Sequence, residues 1–380
     1  MFQHYCKSKE YIQQAHLEAE LPGSLLQDAL VVANFPSKNQ LLHIEKWSQG
    51  QLPNPFLNQD SATIDRLDRL YTQLAIYIED YITKATSISP PRSYMCIPSP
   101  CSNVDQLQYR GQPIGIDILR VETLTDVERN RLFRAFFRYE LVSKIRCLQD
   151  RIELELINEL VAPIFKNFSH GEAEALRCVR HYMKKFYGVV LAYYAEPQLP
   201  DRPAKTAAVA GKLNPNCGLR FFDKMWISSE EISEYLFQEP KTHHEFLEFD
   251  LMTRPLSVPR DDKGCPMRLF AEIPMHLKQL DMTRVMSMSH IFDEGDCYPL
   301  DNRRWDEWSE IGQALRDNGS ITFTYGRDLC DFESRLQNGI YRQRAWAFFD
   351  HAGYYSEGNI SRHFRTLRQL EDEDFLRSWA

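Results

Sequence analysis

The sequence predicts a mainly α fold, an irregular multi-helix globular protein with long loops and at most a minor β element around 320–325. Apolar residues recur at three- and four-residue spacing along much of the chain, the period of a helix face. Capping boxes of the form S/T-x-x-E precede several of these runs. Only "SITFTY", at 320–325, alternates as a strand does.

The elements follow in order. Residues 21–34 and 39–49 read as short amphipathic helices divided by "FPSK". A stronger helix spans 61–86, with Asp60 or Ser61 at its N-cap; Ile64, Leu67, Leu70, Tyr71, Leu74, Ile78, Tyr81 and Ile82 form one apolar stripe. Residues 87–115 break the pattern with Pro90, Pro91, Pro98, Pro100 and Pro113, so they read as a Pro-rich linker or a packed loop. A central helical block follows over 124–196. Its starts are the capping boxes Thr125/Glu128 and Ser169/Glu172, which place helices at about 126–166 and 171–196. Residues 197–222 are irregular. Ser228/Glu231 caps a helix at 229–238, and shorter helices follow at 242–252, 304–317 and 340–350. This gives an N-terminal helical region at 1–86, the segment 87–115, and a main helical domain at 116–380.

Composition narrows the class of protein. The chain has 380 residues, 43% of them apolar and 26% charged, an ordinary balance for a globular protein with a substantial core. A net charge of −8 argues against a chain that coats nucleic acid. The N-terminus lacks an apolar signal core, and "YGVVLAYYA" is too short to span a bilayer. An intracellular place, in cytoplasm or nucleus and off the membrane, is the expectation. The 9 cysteines form no C-x-x-C pair, which speaks against a zinc ribbon or a disulfide framework.

No P-loop, dinucleotide fingerprint, G-x-S-x-G elbow or H-E-x-x-H occurs, and no cofactor is expected. Several clusters could still carry chemistry. In "THHEFLEFD", His243 and His244 precede Glu248, and His244 and Glu248 share a helix face; "HIFDEGDC" adds His290, Asp293, Glu294, Asp296 and Cys297. Imidazole with carboxylate can hold a divalent metal, whereas the plainer reading is a polar helix face and a solvated acidic loop. An enzyme or metal site assembled from distant residues would begin with His243, His244, Asp293 and Asp296. Cys178 and His181 resemble the start of a nucleophilic pair, or a buried thiol beside a surface imidazole.

The densest stretch is "LTDVERNRLFRAFFRYELVSKIRCLQD", 124–150. At about 100° per residue Arg131, Arg134 and Arg138 share one stripe, while Leu132, Phe133, Phe136, Phe137 and Leu141 cover most of the rest. A helix apolar nearly all round is a buried one. Its arginines then pair with carboxylates, for which "DRIELELINEL" is the nearest source, or they bind an external anion.

"LT..ER.R..RAFFR.EL" at 124–141, "LRCVRHYM" at 176–183, "WSEIGQALRDNG" at 308–319 and "RAWAFFD" at 344–350 resemble a family of uncharacterised proteins from filamentous ascomycete fungi, many described as F-box-like. The resemblance spans roughly residues 20–350. It implies a helical architecture and transfers no catalytic residue. An F-box opens with Leu-Pro and docks on a ubiquitin-ligase adaptor subunit. "LPGSLLQDALVVANFPSKNQLLHIEKW", 21–47, resembles a degenerate one through Leu21, Pro22, Leu25, Leu26 and Trp47, although Gly23–Ser24 replaces the usual acidic residue. A plain amphipathic helix pair is the other reading of that segment. The expected function is therefore non-enzymatic protein contact, with an F-box-like adaptor as its specific form.

Overall fold

The computed structural model describes residues 2–87, 93–94, 96, 105–109, 112–146, 168–195, 310–311, 341–355 and 364. They are mainly α, 70% helical with one small two-stranded sheet. The expected strand at 320–325, the segment 197–222, the helices at 229–238 and 242–252, and the stretch 147–166 lie outside the described residues.

Helix α1 (Phe2–Glu20), which the sequence reading does not place, leads into Leu21, and Pro22 bars its continuation. α2 (Ser24–Ala33) starts after Gly23 at φ 56, a left-handed value that suits glycine. α3 (Gln40–Ser48) and the single turn α4 (Pro55–Asn58) follow. α5 (Ser61–Thr86) begins where expected: the Asp60 carboxylate accepts from the Thr63 N–H at 3.1 Å and from its hydroxyl at 2.6 Å.

Within the segment read as a Pro-rich linker or packed loop over 87–115, a short hairpin begins that the sequence reading does not place. Strands β1 (Gln106–Tyr109) and β2 (Gln112–Asp117) pair antiparallel. The register shifts between Gln106 and Gln108, and Gly115 at φ 73 sits in the unmatched part of β2. Such a bulge explains why no clean alternation marks the hairpin. Leu107 is buried, and the chain beyond the hairpin is stitched to α5: Thr83 Oγ1 accepts from the Leu119 N–H at 2.9 Å, and Glu79 pairs with Arg120 at 3.0 Å. This segment ties the two halves of the chain together.

α6 (Asp126–Arg146) and α7 (His170–Ala195) carry both capping boxes. Thr125 Oγ1 accepts from the Glu128 N–H at 3.3 Å while Glu128 accepts from the Thr125 N–H at 3.1 Å. Ser169 and Glu172 repeat the exchange at 3.1 and 3.0 Å. α6 crosses α2, α5 and α7, and Tyr71 of α5 stacks on Phe133 of α6 at 4.5 Å. One continuous core runs from Leu17 through α2, α5, α6 and α7 to Phe348, Phe349, Tyr355 and Phe364.

The expected helix at 340–350 is corrected as well. Only residues 341–343 are helical; turns follow, with Ala345 in the left-handed region at φ 53. From the expected 304–317 helix, residues 310–311 are described and helical.

Candidate functional site: buried charge clusters and an exposed helix

The leucines expected to make an F-box contact do not form a surface. Leu21, Leu25 and Leu26 are buried in the core, Pro22 is exposed, and Trp47 is half-buried. α2 turns Leu25 and Leu26 inward because nearly its whole length is covered by α3, α5 and α6, and Leu21 is buried where α1 ends.

The arginines of α6 have carboxylate partners among the described residues, while the stretch just downstream, 150–160, lies outside those residues. Arg131 pairs with Asp350 at 2.7 Å. Arg138 pairs with Glu172 of α7 and lies 3.3 Å from Asp28 of α2, its guanidinium over the Phe168 ring at 4.4 Å. Arg134 reaches the Ser24 hydroxyl at 2.9 Å and stands 3.8 Å from both Asp28 and Glu172. The Trp47 indole N–H donates to the other oxygen of Asp28 at 2.8 Å, so α2, α3 and α6 meet at one carboxylate, and Glu172 of α7 joins through Arg138.

The two acids of this cluster titrate in opposite directions. Burial pushes the Asp28 carboxyl up, against the pull of Arg138, the indole N–H and Arg134. Burial acts on the less enclosed Glu172 too, but Arg138, the Ser169 N–H and Arg134 outweigh it and hold its carboxyl below the ordinary range.

A second cluster lies deep in the core. Lys84 is fully buried; its ammonium bonds Asp80 at 2.6 Å and the Cys96 carbonyl at 2.7 Å, facing the rings of Tyr94 and Phe186. The Tyr182 hydroxyl donates to the same Asp80 oxygen at 2.7 Å. Beside it runs the turn 341–350, whose carbonyls are taken in succession by tyrosine hydroxyls. Tyr81 donates to Arg342 at 2.6 Å, Tyr94 to Gln343 at 3.1 Å, and Tyr355 to Arg344. Glu174 holds the Arg342 guanidinium through both oxygens at 2.6 and 3.2 Å. The Arg344 guanidinium is buried and donates to the Ser87 carbonyl at 2.7 Å just past the end of α5; burial lowers its pKa to about 10.

Apart from Arg342, which is half-buried, the named side chains of this interior cluster are buried and join elements. The Cys178 thiol belongs with them. It is fully buried, and burial pushes its pKa well up, which removes the thiolate that a nucleophilic pair with His181 requires. His243, His244, Asp293 and Asp296 lie outside the described residues. Among the described residues no group of His, Cys, Asp and Glu is arranged to hold a metal ion, and no helix is long and apolar enough to cross a membrane.

Sequence reasoning passed over Asp28, Asp80, Lys84, Glu174 and Arg344. A signal was present for the first. Asp28 interrupts the apolar run "LLQDALVVA", whereas Asp80 and Lys84, four apart on α5, fall off the stripe of Ile78, Tyr81 and Ile82 and read from sequence as an ordinary surface pair. A charge on a buried stripe has to be paired.

Among the described residues the protein is mainly α, with charged side chains enclosed between its helices. Compared with family models, curated proteins and solved structures, the chain matches none.

Proposed function

We propose that this chain is a non-enzymatic, intracellular helical protein that works by protein contact, and that the F-box-like segment 21–47 meets its partner through α3. The observation that supports this reading is the placement of exposed apolar side chains. Among the described residues the large exposed hydrophobics are Tyr11, Ile12, Leu41, Leu42, Leu57 and Val127, and all but Val127 belong to α1, α3 and α4. Leu41 and Leu42 stand together on α3, half exposed, while Ile44 of the same helix is buried. Adjacent exposed leucines on a nine-residue helix cost solubility and give the fold nothing. A partner covering them gains their transfer free energy.

The partner of choice is a ubiquitin-ligase adaptor subunit, given the likeness of 21–47 to an F-box. Titration of the purified protein against that subunit tests the reading. Binding is expected, and a Leu41→Asp/Leu42→Asp variant should abolish it without lowering the melting temperature. The reading falls if the unaltered protein does not bind, or if the double variant binds as well.

A further inference from the structure

α3 is anchored to its neighbours on both sides of the helix. Before it, the Asn34 side-chain oxygen accepts from Arg66 of α5 at 2.9 Å. After it, Gln27 of α2 clamps Leu52 through both main-chain groups, at 3.0 and 2.9 Å. Between these anchors the chain makes an excursion with a left-handed residue at each end of the helix, Asn39 at φ 60 and Gly50 at φ 69. The far end closes with Gly50 N–H on the Trp47 carbonyl and Gln51 N–H on the Lys46 carbonyl, the bonds of a Schellman motif. The helix is thus a formed unit suspended between fixed feet.

Few contacts seat that unit. Ile44 is its one buried residue. The His43 ring nitrogen lies 3.1 Å from the Val31 carbonyl, with Phe35 edge-on to the ring. Among the described residues the other polar contact outward is the Trp47 indole on Asp28, and the Phe35 and Trp47 rings, both half-buried, pack against the core. Asp28 is itself an unusual choice, a carboxylate on a face otherwise made of Leu25, Leu26, Ala29, Leu30, Val31 and Val32. Enclosing it is costly unless both of its oxygens are used. One lies 3.3 and 3.8 Å from the Nε atoms of Arg138 and Arg134, an ionic approach without a hydrogen bond, so the bond that the other oxygen accepts from Trp47 of α3 carries the more weight.

We propose that residues 35–51 form a hinged flap, that Asp28 is the positioning residue that seats it through Trp47, and that seating fixes how Leu41 and Leu42 are presented. The flap rests on α3 being the contact helix only for its biological use; the hinge itself does not depend on any partner. Arg138 and Glu172 then act on the flap indirectly, by holding the Asp28 side chain in the rotamer that Trp47 needs.

Amide hydrogen exchange on the full chain separates this device from an ordinary core contact. Trp47→Phe keeps the ring and removes only the N–H. The expected result is exchange faster by about five- to tenfold at the protected amides of α3 and at Gly50 and Gln51, with α5 and α6 unchanged. Unchanged protection in α3, an increase spread evenly over α5 and α6, or failure of the variant to fold would each overturn the proposal. Leu41→Asp/Leu42→Asp should leave exchange in α3 as it was, and a rise there equal to that of Trp47→Phe also counts against it. Adaptor-subunit binding measured on the Trp47→Phe variant should weaken about tenfold. If the unaltered chain does not bind, the protein-contact reading fails while the exchange result still decides the flap.

Discussion

At the scale of single residues the tyrosines carry the interior. A buried carbonyl left without a donor costs about 1–3 kcal/mol. The hydroxyls of Tyr94 and Tyr355 relieve that cost at two successive carbonyls, and Tyr81 adds a second donor to the Arg342 carbonyl beside the Ala345 N–H, in a turn that a left-handed Ala345 prevents from continuing as helix. Each of Tyr94→Phe and Tyr355→Phe should lower unfolding free energy by about 1–3 kcal/mol in urea titrations, and the two together should fall short of additivity because they share one turn. Glu174 sets the acid response. Although burial raises its carboxyl, Arg342 and Arg177 overcome that and hold it below its ordinary value of 4.5. A depressed acid contributes stability above its unfolded pKa and loses it as pH falls through the folded one. Stability should therefore decline as pH drops below 4.5, and Glu174→Gln, already weaker at neutral pH, should show a shallower decline. Chemical denaturation at stepped pH reads both.

At the scale of elements, each capping box does two tasks. Glu128 closes the start of α6 and also accepts from the Asp350 N–H at 2.8 Å and the Tyr354 hydroxyl at 2.9 Å. Glu172 closes the start of α7 and holds Arg138. The sequence shows the first task because it is local, and hides the second because the partners lie far along the chain. Thr125→Ala should cost about 1 kcal/mol, the ordinary value of a lost cap, while Glu128→Ala should cost clearly more by releasing 350–354 as well. Thermal melts of the two variants make the comparison. In α5, Lys84→Met strands Asp80 in the core and should cost about 3–5 kcal/mol, and Lys84→Met with Asp80→Leu should recover much of that loss.

At the scale of the whole molecule one core serves the N-terminal region and the rest alike. Phe348 lies against Tyr81 of α5 at 6.0 Å, and α2 packs on α6 across the proline-rich stretch. Phe348→Ala should cost about 3–5 kcal/mol and lower the exchange protection of α2 and α5 together with that of α6. Loss confined to one half of the chain would show that 1–86 folds apart from the remainder.

What the sequence determined by itself is everything written in near neighbours. The stripe of α5 with its Asp60 cap, the two capping boxes, and the burial of Phe133, Phe136 and Phe137 follow from helical period and first-turn hydrogen bonding. The hairpin escaped because a bulge at Gly115 erases the two-residue period, and α1 because its apolar residues are too sparse to make a stripe. Only the tertiary structure decided which carboxylates meet Arg131, Arg134 and Arg138, that Leu21, Leu25 and Leu26 face inward, and that Asp28 links α3 to the core. A charge's partner is chosen by distance in space, and the spacing of residues along a chain does not encode that distance.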